Sequence, residues 1–509
     1  MSKNNQLKSG VVLSYANLAI SSLIPFFYTP VMLHILGASE YGLFSLSNSV
    51  ISYLSLLSFG FGSTIVRYIT FYRTKNEKEK VQNIFGFFLL LFSAIAILVM
   101  VCGALLTWQA DSIFHKGLTE SEIDKMRVLM LIMTLNTAIS FPISVFSSII
   151  MSYERFIFRK IIDMILTVAA PLSNLVMLYL GFASVGMAIS NTIIQFITLP
   201  IVLFYCFRVL QVKPKFGKIE QGIAKEMVLF SGYTFIGTIV DMLFWATDKV
   251  ILGMLTSTVV VAIYNIGSTF NGMVTNLSSA MSNLLAPKAT TMIAKEAKKQ
   301  ELTELFIKVG RLQFIIVSLA VSGFAVFGQE FIYLWAGDTY ADSYFIALLT
   351  LIPLCIPLIQ NTGYSIVVAQ NKHKFRSIVY LIIAIANVIS TYIVVPYIGA
   401  IGAALCSAIS YIIGQGIVMN IFYYKVTGIN IPLFWKNIAK MSLTPTLLLV
   451  LTFVVKIWVS FNSWTIFIIG VIIYTAVYLT LMFFVSCNDY EKDTIKKPLK
   501  KIMGGLINK

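Results

Sequence analysis

Asn83 to Trp108, NIFGFFLLLFSAIAILVMVCGALLTW, is a run of 26 residues without one Asp, Glu, Lys or Arg. As an α-helix it would extend about 39 Å, more than the ~30 Å hydrocarbon layer of a bilayer requires. The stretch is one of many. Of 509 residues, 58% are hydrophobic and 12% charged, with a mean hydropathy of +0.85, whereas a soluble chain carries about 25% charged residues. Reading apolar runs against polar breaks predicts fourteen transmembrane spans, near 11–36, 42–66, 83–108, 128–150, 161–180, 185–207, 228–255, 260–286, 312–335, 344–368, 378–396, 401–424, 441–460 and 465–486. The chain reads as an all-α integral membrane protein. Met1 to Gly10 is hydrophilic and leads into the first span without a small-residue cleavage pattern, so that span is expected to be retained.

A net charge of +16 would suggest nucleic acid in a soluble protein. Here the cations sit between spans. With the N-terminus placed in the cytoplasm, the inner segments hold 33 of the 38 Lys and Arg residues, and the outer ones hold three: Lys116, Lys125 and Arg127. Lys249 and Lys456 lie within spans. This asymmetry predicts cytoplasmic N- and C-termini and assigns the basic loops to topology and attraction to anionic membrane lipids, with no nucleic-acid partner. Cys102, Cys206, Cys355, Cys406 and Cys487 form no CxxC, and His34, His115 and His373 are far apart, so neither a disulfide framework nor a metal site is expected.

Internal repeats point to two halves. Ile35-Leu36-Gly37 returns as Ile251-Leu252-Gly253, and Val185-Gly186-Met187-Ala188 returns as Ile401-Gly402-Ala403-Ala404, each at an offset of 216. Phe158-Arg159-Lys160-Ile161 matches Phe375-Arg376-Ser377-Ile378 at 217. Six spans per repeat is an even number, so both copies cross in the same sense and enclose a cleft between them. The expected division is an N-terminal lobe at 1–212, a C-terminal lobe at 213–425, two further helices at 426–486 and a basic cytoplasmic tail at 487–509.

Polar stripes mark candidate walls of that cleft. Ser45, Asn48, Ser52, Ser55, Ser58 and Gly62 share one face of span 2, and Asn265, Ser268, Gly272, Asn276, Ser279 and Asn283 share one face of span 8. Such residues line water; they also let transmembrane helices pack closely. Span 7 holds Asp241, Asp248 and Lys249. A charge in hydrocarbon costs roughly 2.5–3.5 kcal/mol on insertion scales and needs a partner or water. Asp248 and Lys249 point about 100° apart, so partners must come from elsewhere, with Lys456 and Arg67 as candidates. Asp241 and Asp248 are candidate H⁺ or Na⁺ coupling sites, and Arg67 and Lys249 candidate attractors of an anionic substrate. A structural ion pair between helices is the alternative. Pro25 and Pro30 are expected to kink span 1.

These residues carry a resemblance. Leu36-Gly37-Ala38-Ser39-Glu40-Tyr41-Gly42-Leu43-Phe44, with Phe59-Gly60-Phe61-Gly62 and Arg67-Tyr68, resembles the LGxxxYG signature of Wzx-type polysaccharide (O-antigen) flippases in the multidrug/oligosaccharidyl-lipid/polysaccharide exporter superfamily. Asp248-Lys249-Val250-Ile251-Leu252-Gly253 with Tyr264, and Asn387 with Pro396 to Ala404, are similar to further elements of that family. The resemblance implies a V-shaped, MATE-like pair of six-helix lobes, with helices 13 and 14 beyond them, in the bacterial cytoplasmic (inner) membrane. It also implies alternating-access transport of a polyprenyl-diphosphate-linked oligosaccharide, with a polysaccharide polymerase and assembly proteins as prospective partners. No cofactor and no catalytic residue is expected; the chain has no phosphate-binding GxxxxGK[ST], which argues against direct ATP hydrolysis. The rival readings are a MATE-type multidrug/cation antiporter and a membrane polysaccharide polymerase, the latter disfavoured by the short outer segment Gln109 to Arg127.

Overall fold

The computed structural model describes residues 3–217, 221–295, 297–370 and 372–493. Among these residues the structure is helical, without strands: α1 Lys3–Ser52, α2 Phe61–Thr74, α3 Lys78–Trp108, α4 Ala110–Phe114, α5 Glu120–Ser152, α6 Phe156–Tyr179, α7 Ala183–Phe204, α8 Gln221–Trp245, α9 Thr247–Leu255, α10 Thr258–Ala294, α11 Lys299–Ala336, α12 Ser343–Ile359, α13 Asn361–Ala369, α14 His373–Tyr411, α15 Met419–Phe422, α16 Ile431–Lys456 and α17 Trp464–Leu481. Eleven helical runs among the described residues are long and apolar enough to cross a membrane. This is a multi-pass membrane protein.

Two of those runs, Ala16–Thr74 and Lys374–Thr427, contain 59 and 54 residues. Straight, each would extend about 80–90 Å, so each has to turn. Glycine makes the turn. Gly37 in α1 has φ 75° and ψ 168°, and Gly399 in α14 has φ 62° and ψ −139°, conformations that a side chain disfavours. The break in α1 therefore falls at Gly37, whereas Pro25 and Pro30 lie inside continuous helix.

Packing divides the chain into one unit of residues 1–265 with 391–400 and another of 266–390 with 401–509. In the first, α5 packs against α1, α2, α3 and α7. Its centre is aromatic: Phe85 meets Phe146 edge-on at 5.5 Å, and Phe92 lies 5.9 Å from Phe141. Gly103 admits Thr134, whose side chain would lie 2.3 Å from any added Cβ. A capping box starts α5, with the Thr119 amide donating to Glu122 at 2.9 Å and the Glu122 amide donating to the Thr119 hydroxyl at 3.4 Å.

In the second unit, α11 packs against α12, α16 and α17. An apolar cavity of about 310 Å³ lies among α10, α11 and α17, lined by Phe270, Phe324, Phe327, Phe331, Phe467 and Tyr474 among others. Two polar constructions hold this unit. Asn420 accepts from Gln360 at 2.8 Å and from Trp435 at 3.0 Å, and it donates to the Gln415 and Gly416 carbonyls, both at 2.8 Å, next to the π-helical turn Ile412–Val418. Arg311 forms a buried bidentate pair with Glu491, at 2.5 and 2.8 Å, and also donates to the Ser486 carbonyl at 2.9 Å. That contact ties α11 to the segment following α17.

Removing one partner of a buried pair strands the other charge, at a cost of about 3–5 kcal/mol. Glu491→Gln should therefore lower the thermal unfolding temperature of the detergent-solubilised protein, and Arg311→Met combined with Glu491→Leu should recover most of the loss.

Candidate functional site

The ionisable residues of span 7 lie in the first unit and are handled in two ways. Asp248 and Lys249, adjacent in sequence, both reach α10 sixteen residues on. The Tyr264 hydroxyl donates to the Asp248 carboxylate. Lys249 donates to the Asn265 Oδ1 at 2.9 Å, and the Asn265 Nδ2 donates to the Tyr41 hydroxyl at 2.5 Å. Asp248 is only 2% exposed. The pattern follows from helix geometry: neighbouring side chains diverge by about 100°, so each needs its own partner, and α10 supplies both, in Tyr264 and Asn265. Asp241 is placed differently. Near the C-terminal end of α8, it is exposed.

Span 2 packs antiparallel along span 7. A Cβ at Gly42 would lie 1.8 Å from the Thr258 carbonyl oxygen, and one at Gly253 would lie 2.5 Å from the Leu46 side chain. Tyr53 bonds Thr247, Ser52 donates to the Met242 sulfur at 3.4 Å, Thr64 meets Ser231 at 2.6 Å, and Tyr68 donates to Glu226 at 3.4 Å. Small and hydroxylated residues permit this approach. The serine stripe therefore divides: Ser45 is buried and Ser52 is engaged with Met242, while Asn48 is exposed. Arg67 is exposed as well, with its guanidinium 4.5 Å from the Phe230 ring centre and 5.9 Å from that of Tyr68.

On the stripe of span 8, Asn265 joins Lys249, whereas Ser268 and Asn276 belong to the second unit, half-buried and exposed respectively. Asn283 lies outside the residues whose side chains are described. Lys456 is no partner for the acids of span 7: it pairs with Glu330 at 2.6 Å and donates to the Val326 carbonyl at 2.7 Å. Glu330, the one ionisable residue between Leu312 and Trp335, is the signal that sequence reasoning overlooked. It also overlooked Asn271, buried on another face of α10 and bonded to Thr350 at 2.9 Å.

Just beyond the break at Gly37, one turn of α1 meets three helix starts. Ser39 donates to Glu122 at 2.7 Å, and Thr258 donates to the same carboxylate oxygen at 2.7 Å. Glu40 pairs with Lys125 at 2.7 Å and accepts from the Ser184 amide at 3.2 Å and from its hydroxyl. Tyr41 receives Asn265, and Gly42 admits Thr258. The starts of α5, α7 and α10 thus converge on four consecutive residues.

The family of polysaccharide biosynthesis proteins matches residues 7–287, more than half of the chain. The chain belongs to that family. The uncharacterized membrane protein EpsK of Bacillus subtilis (strain 168) is 21% identical over 509 residues, covering 96% of this chain and 97% of the relative. Among solved structures, the lipid II flippase MurJ in an inward closed conformation aligns with a TM-score of 0.73 at 15% identity, over 92% of this chain and 97% of that one. An inward-facing multidrug resistance MATE family transporter of the MOP superfamily aligns with a TM-score of 0.61 at 14% identity, over 82% and 98%. These likenesses give the fold of this polysaccharide biosynthesis protein, which it shares with MurJ and the MATE transporter.

In this family member the signature tyrosines have a physical role: Tyr264 bonds Asp248 of span 7, and Tyr41 bonds Asn265, the acceptor of Lys249. Asn265→Leu should leave Lys249 without its acceptor and lower the thermal unfolding temperature. Adding Lys249→Met should restore most of it.

Proposed function

We propose that the protein is a flippase that carries a polyprenyl-diphosphate-linked oligosaccharide, an O-antigen or other surface-polysaccharide repeat unit, across the bacterial cytoplasmic (inner) membrane by alternating access. The observation that carries this reading is the exposure of Asp241, Asn48 and Arg67 on helical runs long and apolar enough to cross a membrane, together with that of Asn276 on α10. Against acyl chains a charge of this kind is costly, so these surfaces face water in the reading adopted here. A hydrated path suits the cargo: its sugar and diphosphate head is insoluble in hydrocarbon, while its polyprenyl chain remains in lipid. Family membership supports a role in polysaccharide assembly, and the lipid II flippase MurJ shares the fold.

In this reading the fourteen crossings of the sequence analysis put both termini in the cytoplasm, and the outward-facing protein hands its cargo to a polymerase and assembly proteins. Asp241 is the first candidate for H⁺ or Na⁺ coupling because it is exposed; Asp248, buried beneath Tyr264, is the second. Arg67 and Lys249 are the cations proposed to draw the anionic head, and Asn48, Ser52, Asn265, Ser268 and Asn276 the polar groups proposed to line its path.

The test is reconstitution of the full-length protein in liposomes with a fluorescent polyprenyl-diphosphate-linked oligosaccharide, reading its transfer between leaflets. Asp241→Asn should slow transfer by about tenfold or more at unchanged protein abundance. Loss of abundance instead would indicate a structural carboxylate. Absence of transfer together with efflux of a cationic dye would favour the multidrug antiporter.

A further inference from the structure

Arg376 is a cation whose surroundings are built of rings. It lies in the first turn of α14, with its guanidinium carbon 4.3 Å from the ring centre of Tyr364 on α13 and 4.4 Å from that of Tyr380 one turn on. Its Nε is buried and donates to no acceptor among the described residues, and no ion pair engages it there. The absence of a carboxylate extends well beyond the contact: from Ser343 to Asn488 the sequence contains neither Asp nor Glu. Lys374 stands exposed in the same helical turn, and Lys372, just before it, donates to the Val426 carbonyl at 2.8 Å. Three cations thus crowd the N-terminus of a helix, where the macrodipole and the open amides favour negative charge. Topology would be served by cations anywhere in this loop; a flat guanidinium stacked between two phenols, with donors left over, is the arrangement that presents a fork to phosphate.

We propose that Arg376, framed by Tyr364 and Tyr380, binds the phosphate of a lipid-borne anion arriving from the cytoplasmic leaflet. The side of the membrane rests on the orientation read from the cation distribution. The identity of the lipid rests on the flippase reading, under which the ligand is the diphosphate of the polyprenyl-linked substrate.

The experiment is a thermal-shift titration of the full-length protein in detergent with three probes: undecaprenyl diphosphate, phosphatidylglycerol and inorganic pyrophosphate. Arg376→Gln and Arg376→Lys, the latter keeping the charge but not the fork, should each weaken the response to undecaprenyl diphosphate by about tenfold while leaving the ligand-free unfolding temperature unchanged. An equal Arg376-dependent response to phosphatidylglycerol supports the phosphate site and names a membrane phospholipid as its source. Wild-type responses to every probe in both variants overturn the proposal. If Arg376→Gln fails to fold, Tyr364→Trp in the otherwise unchanged chain replaces it: an indole emission change on adding either lipid supports the site, and an unchanged spectrum overturns it. Transfer of the oligosaccharide together with wild-type responses of the Arg376 variants to every probe would remove this site and leave the flippase reading intact, and Arg376-dependent phosphate binding without transfer would do the reverse.

Discussion

Hydrocarbon offers a charged or hydrogen-bonding group no partner, so every such group inside a membrane helix must be satisfied by protein or by water. In this chain that rule sorts the polar residues of the spans into two sets. Asp248 with Tyr264, Lys249 with Asn265 and Tyr41, and Lys456 with Glu330 are satisfied by neighbouring helices. Asp241, Asn48, Arg67 and Asn276 remain on the surface of their units. The first set holds helices together, and the second is the set that the proposed flippase reading turns toward water. On α17 the tyrosines Tyr474 and Tyr478 bond inward to α11, while Ile468, Ile469, Ile472 and Ile473 are exposed.

The junction at Gly37 shows how a short motif can organise a large membrane unit. A positive φ at Gly37 reverses no charge and buries little area, yet it frees Ser39, Glu40, Tyr41 and Gly42 to meet the starts of three helices. Two demands of different physical origin meet there. Gly37 supplies a backbone conformation, whereas Gly42 supplies room for the Thr258 carbonyl.

Much of the fold was legible because hydrophobic length and charge asymmetry are properties of single segments. The breaks after Leu36 and near Gly399 could be read from composition, and Ser190 and Ser407, 217 residues apart, each bond the preceding helical segment, at Ser173 on α6 and at Asn387 in the first part of α14. Pairing was far less legible. Lys456 was matched to the wrong acid because helical periodicity gives the direction of a side chain and says nothing of which helix lies opposite. Ser52 appeared on a polar stripe, but whether such a stripe meets water or Met242 depends on a neighbour nearly two hundred residues away. The motif tyrosines Tyr41 and Tyr264 show no role in the sequence, since a tyrosine declares its hydrogen bond only once its partner is in place.

The most direct measurement of whether the exposed polar groups face water is thiol accessibility in membranes. In a chain freed of its five native cysteines, Asp241→Cys, Asn48→Cys and, as a lipid-facing control, Ile472→Cys would be treated with a membrane-impermeant, charged methanethiosulfonate in vesicles of each orientation. The account predicts rapid modification at positions 241 and 48 and none at 472. Reaction at 241 and 48 as slow as at 472, from both sides of the membrane, would contradict it.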